Sequence, residues 1–186
     1  MTPADSLALQ SFRSAIEPWH DYFLLAGTAA ATLMGLLFVS LSIHLDKVVD
    51  ERGAHLEAMA REAFASFVIV LALSLMMLAP QLARRSFGVS LLMLAAVRGI
   101  ITASRMRRTL GATARSSGFG GRSMLLRFLF PLAAVVCLAW AGSRFLGKDV
   151  EDGLAGIMLA CLLLIADATR SAYELLVRTG RVKRAE

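Results

Sequence analysis

Cysteine and histidine, the side chains that most often build metal sites, are scarce in this chain. The 186 residues include two cysteines and three histidines. Neither cysteine belongs to the spacing of a zinc site or of a disulfide framework. Each histidine has a carboxylate within two positions, but no such pair reaches the number of ligands that a metal ion needs. We therefore predict no metal and no cofactor.

Catalytic motifs are also missing. The chain has no Gly-x-Ser-x-Gly and no His-Glu-x-x-His motif. Its glycine-rich stretch SSGFGGRS lacks the Gly-Lys-Ser/Thr ending of a phosphate-binding loop. We therefore predict that the protein is not an enzyme. Prolines number four, and Pro80 and Pro131 lie near the ends of apolar runs, where we expect them to mark the ends of spans.

Long apolar runs are abundant, and they dominate the sequence. Hydrophobic residues make up 57% of the chain, and the 18% that are charged lie mostly between the runs. A bilayer core about 30 Å thick needs about 20 apolar residues per helix. The sequence predicts one all-α membrane domain over residues 1–186, an integral helical bundle. Its five predicted transmembrane helices cover residues 23–45, 63–80, 87–104, 124–146 and 153–177.

The third predicted span contains Arg98, and the charge of this residue opposes insertion of the segment into the bilayer. An arginine near a helix centre costs about 2.5–3.5 kcal/mol, and each strongly apolar residue returns about 0.3–0.6 kcal/mol. Nine such residues bring the sum close to zero, so we favour five spans. A bundle of four helices is the alternative if residues 87–104 do not insert.

The basic residues between the spans predict the orientation. With five spans, one side carries residues 46–62, 105–123 and the tail 178–186, with twelve basic residues, and the other side carries four. The positive-inside rule then places the N-terminus outside and the C-terminus inside, with 178–186 as a basic cytoplasmic tail. Residues 1–22 form an N-terminal tail or an interfacial helix. We also expect the segment 46–62 to be helical.

Small residues recur at helical spacing in the first span. Gly27, Ala31 and Gly35 lie four residues apart, a spacing that lets two helices approach closely in lipid. We interpret them as helix-packing residues, either within one protomer or between copies in a homo-oligomer. The stretch GTAAATLMGLLFVSLSIHLD, residues 27–46, resembles the first span of small multi-pass bacterial membrane proteins of no assigned function. The resemblance implies a location in the cell inner membrane.

The fifth span carries three ionisable residues on one helical face. Asp167, Arg170 and Glu174 are separated by three and then four residues. Lipid does not accept such a face, so we expect it to point into protein or water. Arg98 is the predicted partner of Asp167, and His44, Asp46, Ser40 and Ser66 are candidates for the same polar cluster. The cluster either fixes the helices as an ion-pair network or forms an ion or substrate pathway.

The segment 105–123 is predicted to be a basic loop that contacts anionic lipid headgroups. Its five arginines each attract such headgroups by about 1 kcal/mol near the surface. They are Arg105, Arg107, Arg108, Arg115 and Arg122. Cytoplasmic loops are basic in any case, so we do not expect nucleic acid as a partner.

Two functions agree with these features. The first is a small oligomeric channel or carrier for an ion, a proton or a solute, with a polar path on the fifth span. The second is a membrane-embedded accessory or scaffold protein that binds partner proteins or anionic lipid. We favour transport, because a scaffold has less need for charge at the depth of Asp167.

Overall fold

Five long helices account for nearly all of the chain that the computed structural model describes, which is residues 14–43, 54–79, 84–113, 121–147 and 149–182. Side chains are described for residues 14–43, 58–79, 84–107, 128–147 and 149–175. A 3₁₀ turn, Glu17–Trp19, precedes the first helix. The helices are α1 (His20–Ile43), α2 (Ala54–Leu78), α3 (Arg84–Thr113), α4 (Gly121–Leu146) and α5 (Val150–Val182).

Each of the five helices is long and apolar enough to cross a membrane. The apolar segments are 30, 21, 24, 19 and 26 residues long, against about 20 needed for a bilayer core. The third is Arg84–Arg107, so the segment containing Arg98 is a continuous helix of spanning length. The predicted all-α bundle of five spans is confirmed, and no strand occurs among the described residues.

Three predictions about individual segments have different outcomes in the structure. Residues 54–62 are helical as expected, whereas the rest of the segment 46–62 lies outside the described residues. The prediction of a loop over 105–123 is wrong at both ends, because α3 continues to Thr113 and α4 starts at Gly121. The run RMRRTL contains no proline or glycine, so nothing in it stops the helix. Pro131 lies inside α4 and therefore does not end it.

The described helices belong to two compact units, and the first consists of Met1–Trp19 and Ala79–Leu163. In this unit α3 packs against α4. The backbones approach closely where Gly88 faces Gly142, since a Cβ atom on Gly88 would lie 3.1 Å from the carbonyl oxygen of Gly142. Phe87 and Phe145 stack edge to face beside this contact, with ring centroids 4.9 Å apart. The first half of α5 joins the unit through Gly153, next to the Phe145 ring.

A charged cluster covers the turn between α4 and α5 in the same unit. Arg144 Nη1 lies 3.1 Å from Asp149 Oδ2, and its guanidinium lies over the Trp140 ring at 5.3 Å. Arg84 donates a hydrogen bond to the carbonyl oxygen of Gly147. These contacts join the start of α3 to the turn that follows α4.

The second unit consists of His20–Leu78 and Leu164–Glu186, and in it α1 packs against α2. The buried face of α1 follows the helical period through Phe23, Ala26, Ala30 and Leu37. The buried face of α2 runs from Met59 to Met77 and includes two hydroxyl side chains, Ser66 and Ser74. The second half of α5 adds a buried carboxylate to this unit, that of Asp167.

Candidate functional site

The carboxylate of Asp167 is buried in an otherwise apolar stretch of α5. The side chain is 5% exposed, and Leu164, three residues earlier on the same face, is fully buried. The helical period dictates this position, because residues three and four apart share one face. A charged group in the middle of a span is costly, so the surrounding protein must provide polar contacts.

Ser66 on α2 provides one of these contacts. Its hydroxyl oxygen lies 3.4 Å from Asp167 Oδ2 and 3.1 Å from the backbone carbonyl oxygen of Glu62. Ser66 is fully buried, and both residues belong to the second unit. The hydroxyl has one hydrogen and can donate to only one of these acceptors at a time. If Asp167 carries a proton, it can donate to Ser66 Oγ while Ser66 donates to the Glu62 carbonyl.

Arg170 and Glu174 form an ion pair along the same helix. Arg170 Nε lies 3.3 Å from Glu174 Oε1, the spacing of an i,i+4 pair. Both side chains are about one third exposed, at 36% and 33%. Charge on α5 thus changes from one buried carboxylate to a half-buried pair within two turns. The predicted role of these three residues as a pathway stays a prediction.

Arg98 is a buried cation of the first unit. It lies on α3 with 3% of its surface exposed, and Thr102, one turn later, is 7% exposed. The sequence predicts Arg98 as the partner of Asp167, which belongs to the second unit. That pairing stays a prediction. Thr102 is a buried polar residue that the sequence reasoning did not identify, since a threonine in an apolar run has no distinctive signal.

The other predicted site residues are placed as follows. His44 and Asp46 lie outside the described residues, as does Arg115. Arg105 and Arg107 lie on the final turns of α3, with Arg107 exposed. The backbone of Arg108 is also in α3, and that of Arg122 is in the first turn of α4. Their contact with anionic lipid stays a prediction.

The three small residues of the first span have different surroundings. Gly27 is buried against α2, and a Cβ atom there would lie 2.9 Å from Ser74 Cβ. Ala31 is exposed, and a Cβ atom on Gly35 would meet nothing within 4 Å. Gly27 therefore packs within the protomer, whereas Ala31 and Gly35 are exposed positions of α1. The sequence reasoning missed Ser74, because a serine in a span usually bonds to its own helix.

The described residues contain no group of three or more His, Cys, Asp or Glu side chains that could hold a metal ion. Both cysteines are free thiols, with Cys161 buried and Cys137 half-buried. In the second unit, the Asp167 carboxyl can exchange a proton, and the Ser66 hydroxyl can both donate and accept a hydrogen bond.

Comparison of the chain with protein-family models, curated proteins and solved structures finds no match. The resemblance of residues 27–46 to small bacterial membrane proteins stays a prediction.

Proposed function

We propose that this multi-pass membrane protein is a small channel or carrier for a proton, an ion or a small solute, with Asp167 in its polar path. We place it in the bacterial inner membrane and expect it to act as a homo-oligomer. The observation that carries the proposal is the burial of the Asp167 carboxylate beside the Ser66 hydroxyl, inside a span that is otherwise apolar there.

The energetic cost of this carboxylate supports a role beyond packing. An aspartate at the centre of a span costs about 2.5–3.5 kcal/mol on insertion scales. An apolar residue at the same position would remove that cost, so a purely structural site has little reason to keep the acid. Intramembrane acids most often mark ion pathways or proton relays. The hydroxyl of Ser66 adds a group that can both donate and accept a hydrogen bond.

The arrangement supports a simple transport step at Asp167. When the carboxyl binds a proton, its O–H can donate to Ser66 Oγ, and when it releases the proton, Ser66 can turn and donate to it. The carboxylate would bind a small cation by the same negative charge. Arg170 and Glu174, about one and two turns from Asp167 towards the end of α5, would form the more solvated entrance of the path.

The test is flux through the purified protein in liposomes, measured for protons and for several ions at both signs of voltage. Asp167→Asn keeps the shape of the side chain and removes its charge. We expect this change to abolish the flux. The matched control is Asp149→Asn, the same chemical change at an exposed carboxylate in the turn after α4, and this variant should conduct like wild type. Thermal unfolding in detergent verifies that both variants are folded.

Two results would contradict the proposal. One is a folded Asp167→Asn variant that conducts like wild type. The other is folded wild-type protein that conducts no tested ion. The second result would favour an accessory or scaffold protein, and the next experiment would then be cross-linking in native membranes to find its partner.

A further inference from the structure

The charge of the Asp167 carboxylate does not by itself determine its cargo, because a negative group attracts a metal cation as well as a proton. The space beside the carboxylate distinguishes the two. Asp167 Oδ2 and Ser66 Oγ lie 3.4 Å apart, whereas a water molecule bonded to both would hold them about 4.5–5.5 Å apart, through two hydrogen bonds of about 2.8 Å. Ser66 is 0% exposed and Asp167 is 5% exposed. The two side chains therefore contact each other directly, with no room for water between these atoms.

The described part of the second unit also places few oxygen atoms near this carboxylate. Its buried side chains with an oxygen atom are those of Ser66, Ser74 and Asp167. Ser74 follows Ser66 by eight residues, about 12 Å along α2, which is too far to share an ion with Asp167. Asp167 and Ser66 together supply two carboxylate oxygens and one hydroxyl oxygen. A cation that gives up its water needs more ligands, since Mg²⁺ and Ca²⁺ take about six or more oxygens and potassium channels surround K⁺ with rings of carbonyls.

A proton needs neither space nor a shell of ligands. When Asp167 carries it, the carboxyl O–H donates to Ser66 Oγ, and the Ser66 hydroxyl donates to the carbonyl oxygen of Glu62, 3.1 Å away. When the proton leaves, the Ser66 hydroxyl turns and donates to the carboxylate. Rotation of one hydroxyl hydrogen therefore gives each protonation state a hydrogen bond, and no heavy atom has to move.

On the basis of the transport function above, we propose that the cargo of this site is the proton, and not a metal cation or a solute. Loading forms one O–H bond, as a hydronium ion transfers its proton to the Asp167 carboxylate and becomes water. Unloading breaks this bond, and the proton passes to a water molecule on the other side of the membrane. The carboxylate alternates between negative and neutral, and Ser66 follows by reversing the direction of its hydrogen bond.

Proteoliposomes that contain the full chain test this proposal. An internal pH dye records proton entry after the outer solution is acidified, with K⁺ and valinomycin balancing the charge. Uptake of radioactive Na⁺ and Rb⁺ is measured in matched vesicles without valinomycin. We expect wild type to acidify the interior faster than protein-free vesicles do, and Asp167→Asn to return to the protein-free rate. Uptake of Na⁺ and Rb⁺ by wild type should equal that of protein-free vesicles.

Competition gives a second measurement at the carboxylate itself. Na⁺ replaces a large impermeant organic cation in the outer solution at constant ionic strength, and proton entry into wild-type vesicles is recorded again. The rate should not change, because Na⁺ does not bind Asp167. The matched control is Asp149→Asn, which alters an exposed carboxylate in the turn after α4 and should acidify like wild type in both solutions.

The possible results separate the choice of cargo from the transport function. Uptake of Na⁺ or Rb⁺ that depends on Asp167, or proton entry that slows as Na⁺ increases, would overturn the choice of the proton and leave transport through Asp167 in place. Wild-type protein that is folded, as judged by thermal unfolding in detergent, and carries neither protons nor cations would overturn both. Proton entry at the wild-type rate in folded Asp167→Asn would also overturn both.

Discussion

Gly27 on α1 and Ser74 on α2 touch at a point where no larger pair of side chains would fit. A Cβ atom on Gly27 would lie 2.9 Å from Ser74 Cβ and 3.3 Å from Ser74 Oγ. In lipid, helices gain little from hydrophobic burial and associate through close packing and hydrogen bonds. The contact between α1 and α2 therefore depends on the missing side chain of Gly27.

Gly27→Ala is predicted to destabilise the protein by about 1–3 kcal/mol, the usual cost of overpacking a buried contact. The added methyl group must push α1 away from α2, because its nearest neighbour is the rigid Cβ of Ser74 and not the end of a flexible side chain. Thermal or denaturant unfolding in detergent measures the change.

Gly35→Ala is the control for Gly27→Ala. It is the same substitution on the same helix, at a position where the methyl group meets nothing within 4 Å. Alanine favours a helix over glycine by up to about 1 kcal/mol, so this variant should match or slightly exceed wild type. The double variant Gly27→Ala/Ser74→Gly should recover part of the lost stability. Equal stability of the two alanine variants would contradict the packing argument.

Gly142→Val is predicted to weaken the α3–α4 contact more severely. A Cβ atom at Gly142 would lie 2.9 Å from Leu92 Cγ and 3.2 Å from the carbonyl oxygen of Gly88. Backbone atoms cannot turn aside, so the helices must separate. We expect a loss of more than about 2 kcal/mol, at the upper part of the overpacking range.

The matched control for Gly142→Val is Gly99→Ala on α3. The added methyl group there meets Val135 at 3.4 Å, which is ordinary van der Waals contact. This variant should unfold within about 1 kcal/mol of wild type. A Gly142→Val protein as stable as the Gly99 variant would mean that the two helices do not meet at this point.

The number and location of the spans were predictable, because bilayer thickness dictates the length of an apolar helix. The residues at which the helices begin and end were less predictable. Residues 105–113 include three arginines and continue α3, since charge ends a membrane span but not the helix itself. Pro131 was also a poor indicator of a helix end, because a proline within an apolar run can lie inside a transmembrane helix.

The polar site was only partly predictable. The spacing of Asp167, Arg170 and Glu174 identifies a polar face, because all three residues lie on the same helix and its period alone places them together. The contact of Asp167 with Ser66 joins residues 101 positions apart, and sequence periodicity does not specify which serine on another helix faces the acid. The packing role of Ser74 was not predictable for the same reason, because it depends on which residue of α1 lies opposite, and that residue is Gly27.

Ser66→Ala is predicted to lower stability by about 0.6–1.7 kcal/mol, from the average to the largest value measured for hydrogen bonds between transmembrane helices. The change removes one donor from Asp167 and leaves the packing of the methylene group in place. Unfolding in detergent measures the loss. Proton flux in liposomes should also fall, though less than in Asp167→Asn, because the carboxyl group is still present.

Ser90→Ala controls for the loss of a serine hydroxyl. The Ser90 hydroxyl donates a hydrogen bond within its own helix, to the carbonyl oxygen of Ser86 at 2.9 Å, and this bond is exposed. Its removal should change stability by less than about 0.5 kcal/mol. If Ser66→Ala costs no more than Ser90→Ala, the bond to Asp167 does not contribute to the fold.

The ion pair between Arg144 and Asp149 is predicted to contribute little to stability. Both side chains are well exposed, at 40% and 61%, and exposed pairs contribute about 0–1 kcal/mol. Asp149→Asn should therefore unfold within about 1 kcal/mol of wild type, and added salt should reduce the difference further. A larger loss would show that the turn between α4 and α5 depends on this charge. It would also disqualify the variant as a control for Asp167→Asn.

The orientation can be tested by single cysteines in a background where Cys137 and Cys161 are replaced by alanine. In intact cells, a membrane-impermeant maleimide labels cysteines on the outer side of the membrane. Cysteines on the inner side stay unlabelled. The distribution of arginine and lysine predicts an outer N-terminus and an inner C-terminus. Thr2→Cys should therefore be labelled in intact cells, and Ala185→Cys only after the membrane is permeabilised.

Labelling at Thr2→Cys also distinguishes five spans from four, and a third position provides the control. Ser117 lies in the segment between α3 and α4, which both arrangements place inside if the C-terminus is inside, whereas Thr2 changes sides between them. Ser117→Cys should label only after permeabilisation and so serves as the control for cell integrity. Labelling of Thr2→Cys in intact cells, with Ser117→Cys protected, requires an odd number of crossings before residue 117. Protection of Thr2→Cys would contradict the predicted orientation, and would be the result expected if α3 does not cross the membrane.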